Sequence, residues 1–341
     1  MQCEGMRLQN SGPHRGSVRS RLAAETTSRT LRPLTAFIPA NRRGVRFARH
    51  LVAHSLAVFG PPLRGSRVVR VAPPLGTGPT PRGEWVRGPG AEREDGVILY
   101  VHGSAFTICS ARTHRGITTR LSAKTGLPVF ACDYRLAPGH RFPAAADDVR
   151  AAYEWLIGEG HDPARIVLAG DSAGGHLAVD LALELIREDR TPPAALIAFS
   201  PVLDLSMSLA AARERMRPDP MISAARAARL LDLYIDGHDR TAPRLSFSFS
   251  GADRFPATLV QAGGREMLAA DAIELARGLE SAGASCQLEV WPDQMHVFQA
   301  LTRVVPEADR ALDTAAGFID DQLEVQRRRS ALTLVPTAQE A

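Results

Sequence analysis

Six short, almost uninterrupted apolar runs alternate with stretches of helical periodicity, and this alternation narrows the fold more than any other feature of the chain. The runs cover residues 96–101, 128–132, 165–169, 195–199, 257–261 and 286–291. Each has the length of a strand and is apolar on both faces, as a parallel strand covered on both sides requires. Helical patterns near 112–125, 144–158, 174–188, 269–282 and 305–323 separate or follow them. The alternation predicts an α/β protein with a mostly parallel central sheet flanked by helices on both faces. Two earlier runs, 68–71 and 84–86, are joined by Pro/Gly turns and predict an antiparallel edge hairpin.

The rhythm also divides the chain. Residues 1–20 are polar and basic, without periodicity, and read as a disordered leader. Residues 21–62 carry two helical patterns that stop at Pro61-Pro62. The core occupies 63–204 and 244–324. An insertion at 205–243, with helical pattern at 223–235, interrupts it, and 325–341 reads as a polar tail. Segments 21–62 and 205–243 are placed to form a helical cap over the carboxyl edge of the sheet, where open α/β sheets bind ligands.

The chemistry-bearing residues sit at the ends of the expected strands. Gly170-Asp171-Ser172-Ala173-Gly174 follows the run at 165–169 and opens a helix. In that setting Gly-x-Ser-x-Gly reads as a nucleophile elbow, which holds the serine at the sheet edge in a strained conformation, or, taken alone, as a Gly-rich turn with a helix N-cap serine. The Ala173 amide then points to where an oxyanion forms, at a helix N-terminus that favours negative charge. His102-Gly103-Ser104-Ala105-Phe106 follows the run at 96–101. Its small residues let the amides of Ser104 and Ala105 complete an oxyanion hole. Of ten histidines, His296 alone follows the last strand, where the base of a Ser–acid–His order belongs. His176 is expected to pack beside the elbow, and His114, His140 and His238 carry no motif. The acid is expected just past 257–261, and Glu266 is chosen, with Asp271 and Asp293 as reserves.

Together these residues resemble the hormone-sensitive-lipase-like branch of the α/β-hydrolases, the bacterial family IV esterases and lipases. The resemblance covers about residues 84–320 and rests on HGSAF (102–106), DYRLAPGHRFPAA (133–145), DPARIVLAGDSAGG (162–175), SPVLDLS (200–206) and the late His296. It implies an ester hydrolase with an α/β-hydrolase fold and a helical cap, acting on short-to-medium acyl esters through Ser172 as nucleophile, His296 as base and Glu266 as acid. Ser104, Ala105 and Ala173 supply the oxyanion amides, and His102, Gly103, Gly170, Asp171 and Gly174 support the motifs. Asp133, Tyr134, Arg135 and Asp204 match family positions that hold loops around the site. HGSAF departs from the family's HGGG, and Glu266 stands in a GREML context where many members have Asp-Pro-Leu. An amidase, deacetylase or lactonase would use the same residues. A non-catalytic receptor on this fold would be expected to lack a triad member.

Composition narrows the partners. No metal or cofactor is expected: HExxH, clustered Cys/His and a phosphate-cradling Gly loop after a first strand are all missing. Cys3, Cys109, Cys132 and Cys286 are scattered and fit a reducing compartment. Neither a signal-peptide pattern nor an apolar run of bilayer length is present, so a cytoplasmic chain is expected. The net charge is +4, Lys124 is the only lysine, and ten arginines fall in the first fifty residues. That end lacks interleaved aromatics and a nucleic-acid motif, so nucleic acid is not expected, and the partner that the resemblance implies is a small-molecule ester. The basic N-terminus leaves peripheral contact with an anionic membrane open.

Overall fold

The computed structural model describes residues 15–73 and 80–333. Its centre is an eight-stranded sheet: β1 (Arg67–Val71), β2 (Gly83–Arg87), β3 (Val97–Val101), β4 (Val129–Cys132), β5 (Ile166–Asp171), β6 (Ala195–Phe199), β7 (Thr258–Gly263) and β8 (Cys286–Trp291). The spatial order is β1-β2-β4-β3-β5-β6-β7-β8. β2 runs antiparallel to both β1 and β4, and every pair from β4 to β8 is parallel. The early hairpin is therefore the edge of the main sheet, attached through β2.

The apolar runs are continuous because each central strand feeds two cores. Val97, Leu99 and Val101 of β3 enter one cluster, with α4 (Ala144–Gly158), α5 (Ala173–Arg187) and α8 (Ala269–Ser281). Ile98 and Tyr100 point to the other face, which is covered by α3 (Arg115–Thr125) and α9 (Pro306–Thr333). With side chains alternating at period two, a polar residue on either face would be buried, so the pattern has no polar phase.

Four further helices cover the carboxyl edge in two pairs. α1 (Val18–Phe37) and α2 (Arg42–Phe59) come from the N-terminal segment, and α6 (Ser208–Met216) and α7 (Ala224–Ile235) from the insertion. Arg32 of α1 ties the pairs together. It donates to Glu214 of α6 at 2.9 Å and to the Asp219 carbonyl at 2.7 Å.

Two expected boundaries move. The leader does not extend to residue 20, because Ser17 caps α1 and the helix begins at Val18. The Ser17 amide donates to Glu307 of α9 at 2.6 Å, the Ser20 hydroxyl donates to the same carboxylate, and the Gly16 amide donates to Asp293 at 3.1 Å. The remainder of that segment, 1–14, lies outside the described residues. At the other end α9 continues past 324 to Thr333, so the tail expected from 325 is helical through 333, and 334–341 lie outside the described residues.

Candidate active site

Ser172 sits between the last residue of β5 and the first of α5 with φ 52° and ψ −119°, in the left-handed half of backbone space that a non-glycine residue rarely occupies. The turn is tight because the glycines permit close contact. A Cβ on Gly174 would lie 2.0 Å from the Val101 carbonyl oxygen at the end of β3. The Ser172 amide donates to Phe199 at 2.9 Å, and its carbonyl accepts from Val202 at 3.1 Å, so the neighbouring strand-end loop fixes the turn.

Three side chains predicted from distant parts of the chain meet here. His296 Nε2 lies 3.1 Å from Ser172 Oγ, and His296 Nδ1 lies 2.5 Å from Glu266 Oε2. Glu266 Oε1 accepts the Gly263 amide at 2.6 Å, which orients the carboxylate from the end of β7. The His296 loop is pinned by the Val297 amide donating to Ser200 Oγ at 3.1 Å. Burial lowers the His296 pKa, but the hydrogen bond and charge of Glu266, with Asp219 and Asp171 behind it, raise it above its ordinary 6.5.

Neither reserve acid is hydrogen-bonded to His296. Asp271 accepts the amides of Leu203 and Asp204 at 3.0 and 2.9 Å, and burial pushes its carboxyl up to about 7. Asp293 accepts from Gly16 and faces Arg217 at 3.4 Å.

The loop expected to bind the oxyanion has three successive non-glycine residues with positive φ: Ser104 at 77°, Ala105 at 52° and Phe106 at 57°. Such a run turns consecutive amides to one side, the geometry of an anion-binding nest. Among the described residues the Ser104 and Ala105 amides donate to no protein acceptor. Ala173, at the first helical position, has no intrahelical partner for its amide.

Asp171 locks this loop to the elbow. Its carboxylate accepts the Gly103 amide at 3.1 Å and the Tyr100 hydroxyl at 2.7 Å, and faces His114 Nε2 at 3.3 Å. A Cβ on Gly103 would collide with that carboxylate, at 2.2 Å. Burial raises the Asp171 pKa, yet the His114 charge and hydrogen bond hold it below the usual carboxylate range. For His114, burial lowers the pKa and Asp171 outweighs it, so the net shift is upward. His102 stacks on Tyr134 with ring centroids 4.2 Å apart, and burial presses its pKa down to about 3. Tyr134 donates to the His102 carbonyl at 2.7 Å.

The other family-matched residues also bind loops. Asp133 accepts the Ala111 amide at 2.7 Å, Arg135 pairs with Asp148 at 2.7 Å, and Asp204 accepts the amides of Ser206, Ser208 and Leu209. His176 packs beside the elbow as expected, stacked on Phe247 at 4.4 Å.

Sequence reasoning missed three residues. His114 was read as carrying no motif. Asp219, in the cap insertion, accepts Met221 at 2.7 Å and Met267 at 2.9 Å. Arg213 of α6 donates to the Glu266 and Gly264 carbonyls, both at 2.9 Å. No local periodicity or spacing marks any of the three.

Above Ser172 and His296 lies a cavity of about 220 Å³, roofed by α1, α2 and α7 and lined mostly by aliphatic side chains, among them Leu31, Val45, Ala48, Leu230 and Leu231. Among the described residues no group of three or more His, Cys, Asp or Glu is placed to hold a metal ion.

Residues 98–300 match the family described as having an alpha/beta hydrolase fold. A carboxylesterase/phospholipase, LipF, of Mycobacterium tuberculosis is 36% identical over 328 residues, covering 92% of this chain and 84% of its own. An acetyl-hydrolase of Streptomyces hygroscopicus is 37% identical over 238 residues, covering 69% of this chain and 78% of its own. The crystal structure of an esterase from the bacterial hormone-sensitive lipase family superposes with a TM-score of 0.79 at 32% identity, covering 90% of this chain and 99% of that one.

Proposed function

The chain belongs to the α/β-hydrolase fold family, in its hormone-sensitive-lipase-like branch, and from that premise we propose that it is a carboxylic-ester hydrolase working through Ser172, His296 and Glu266. One observation carries the assignment of roles: the continuous path from Ser172 Oγ to His296 Nε2 at 3.1 Å and from His296 Nδ1 to Glu266 Oε2 at 2.5 Å.

In the reaction Ser172 Oγ attacks the ester carbonyl while His296 Nε2 takes its proton. Glu266 holds the imidazole in the tautomer with hydrogen on Nδ1 and stabilises the imidazolium without itself taking the proton. The carbonyl oxygen, now negative, is held by the amides of Ser104, Ala105 and Ala173. His296 returns its proton to the leaving alcohol. Water, deprotonated by the same histidine, then attacks the acyl-enzyme and frees Ser172.

The substrate is a small-molecule ester with a short-to-medium acyl chain. The cavity of about 220 Å³ supports this reading. It is somewhat larger than an engineered cavity of about 150 Å³ that takes up benzene.

Hydrolysis of p-nitrophenyl esters of graded acyl length tests the proposal, with wild type, Ser172→Ala and Glu266→Gln measured side by side. Turnover of short esters that is lost in Ser172→Ala, on the order of 10⁶-fold in kcat, is the expected result. A folded wild type that turns over no ester and whose Ser172 resists a fluorophosphonate probe would overturn it.

A further inference from the structure

The outer surface of the N-terminal cap helices α1 and α2 carries features the chemistry above does not use. Residues 15–60 contain nine arginines and a single carboxylate, Glu25. Arg32 and Arg49 are engaged inward, with Glu214 and with the Thr107 carbonyl, and Arg29 pairs with Glu25. Arg15, Arg19, Arg21, Arg42, Arg43 and Arg46 are exposed. Among them large apolar side chains stand out into solvent. Phe37 at the end of α1 is 84% exposed, Phe47 on α2 is 55% exposed, and Leu22 is 62% exposed. Most of the exposed large apolar residues in the described part of the chain lie on α1 and α2. On α2, Arg43, Phe47, His50, His54 and Val58 recur at helical spacing on one exposed face. The opposite face, through Val45 and Ala48, lines the cavity above Ser172.

We propose that this outer face, centred on Phe37, Arg43, Arg46 and Phe47, docks the protein onto an anionic lipid surface. A helix with arginines and phenylalanines exposed together matches a layer that offers negative headgroups above an apolar interior. The Phe rings can enter the acyl boundary while the guanidinium groups stay with the phosphates. Among the described residues no helix is long and apolar enough to cross a membrane; the proposed contact lies in the plane of the surface, as for an interfacial amphipathic helix. Because the same helices roof the cavity, docking sets the cap against the layer from which acyl esters would be supplied. Only that consequence rests on the ester-hydrolase reading.

The test is flotation of the full chain carrying Ser172→Ala, so that vesicle hydrolysis cannot confuse the readout. The vesicles are phosphatidylcholine alone and phosphatidylcholine with an equal part of phosphatidylglycerol. Binding is expected to the anionic vesicles, weakening as salt rises. Arg43→Gln with Arg46→Gln is expected to weaken partitioning about thirtyfold, roughly fivefold for each arginine removed. Phe37→Ser with Phe47→Ser is expected to weaken it roughly tenfold or more. In the Ser172 background these changes lie outside the cavity, and turnover of a soluble short ester is expected to stay at the wild-type rate. Three results would overturn the proposal: no binding to anionic vesicles at low salt, binding that both double variants retain in full, or a dimer in solution that the Phe changes dissociate while vesicles stay unbound. Loss of ester turnover by the wild type would sink the proposed activity and leave this result standing.

Discussion

Asp219 Oδ2, in the cap insertion, accepts the backbone amide of Met267, the residue that follows Glu266. The cap is thereby bonded to the loop that carries the acid, a link reinforced by Arg213 on the Glu266 carbonyl. Burial holds the Asp219 pKa above the usual carboxylate range. Its other oxygen accepts Met221 and Ile222, so an amide side chain would set an N–H against one of these donors. Asp219→Asn is therefore expected to cost about 1–3 kcal/mol of stability. Asp219 also helps to raise the His296 pKa, so the acid limb of kcat/KM against pH should move down. A bridge of purely mechanical importance would leave that limb in place.

The triad itself predicts opposite responses of activity and stability to pH. In the proposed mechanism His296 acts as base only when neutral, and its pKa is raised above 6.5. Activity should therefore fall as pH drops through a value above 6.5. A histidine raised in the fold contributes stability that is fully present below its unfolded pKa and is lost as pH rises through the folded one. Glu266→Gln removes the main upward influence and leaves burial opposed only by Asp219 and Asp171, so the acid limb should shift to lower pH and kcat should fall on the order of 10⁴-fold. A pH-rate profile of both proteins checks this.

Asp171 and His114 form a pair buried beneath the oxyanion loop, at 3.3 Å. The groups facing them are Tyr100, His102 and Asp133. Asp171 is lowered, so its contribution is present above the unfolded carboxylate pKa and lost as pH falls through the folded value. His114 is raised, so its contribution is present below about 6.5 and lost as pH rises through the folded value. Both hold in weakly acidic solution, where thermal stability should be greatest. Asp171→Asn removes the main charge partner of a protonated His114, leaving Asp133, and is expected to cost up to about 3–5 kcal/mol in weakly acidic solution. Thermal unfolding across pH, with a flattened profile in the variant, is the check.

Ala105 lies at φ 52° without the freedom of glycine. The left-handed conformation costs an alanine about 1–2 kcal/mol, part of which a glycine gives back as extra entropy of the unfolded chain. Ala105→Gly should thus raise stability by up to about 1 kcal/mol and keep the loop active. Ala105→Val places a branched side chain where positive φ is least tolerated and should lower both stability and kcat. Unfolding midpoints and ester turnover of the two variants decide it.

Much of this protein was legible in the order of its residues. The six central strands show as short continuous apolar runs and most of the helices between them as period-3.6 patterns, both local properties of a chain folding against a core. Ser172 was legible because a strand, a Gly-x-Ser-x-Gly turn and a helix are contiguous. His296 was legible as the candidate base because the expected chain order restricts where one can arise, and it does lie between Ser172 and Glu266. Glu266 was chosen over Asp271 and Asp293 by its distance from the end of β7, and the 2.5 Å contact with His296 agrees with that choice.

What only the tertiary structure decided has a common physical character: it depends on side chains brought together from far apart in sequence. Asp219 meets Met267 across 48 positions, and Ser17 meets Glu307 across 290, which orders a helix start that reads locally as a polar leader. His114 gains its meaning from Asp171, with no spacing rule to connect them. Phe37 and Phe47 fall within the two helical patterns of residues 21–62, and the patterns do not say that both face outward. Hydrophobic pattern specifies that a helix has an apolar side, but the cap's packing determines which apolar residues are covered and which face water.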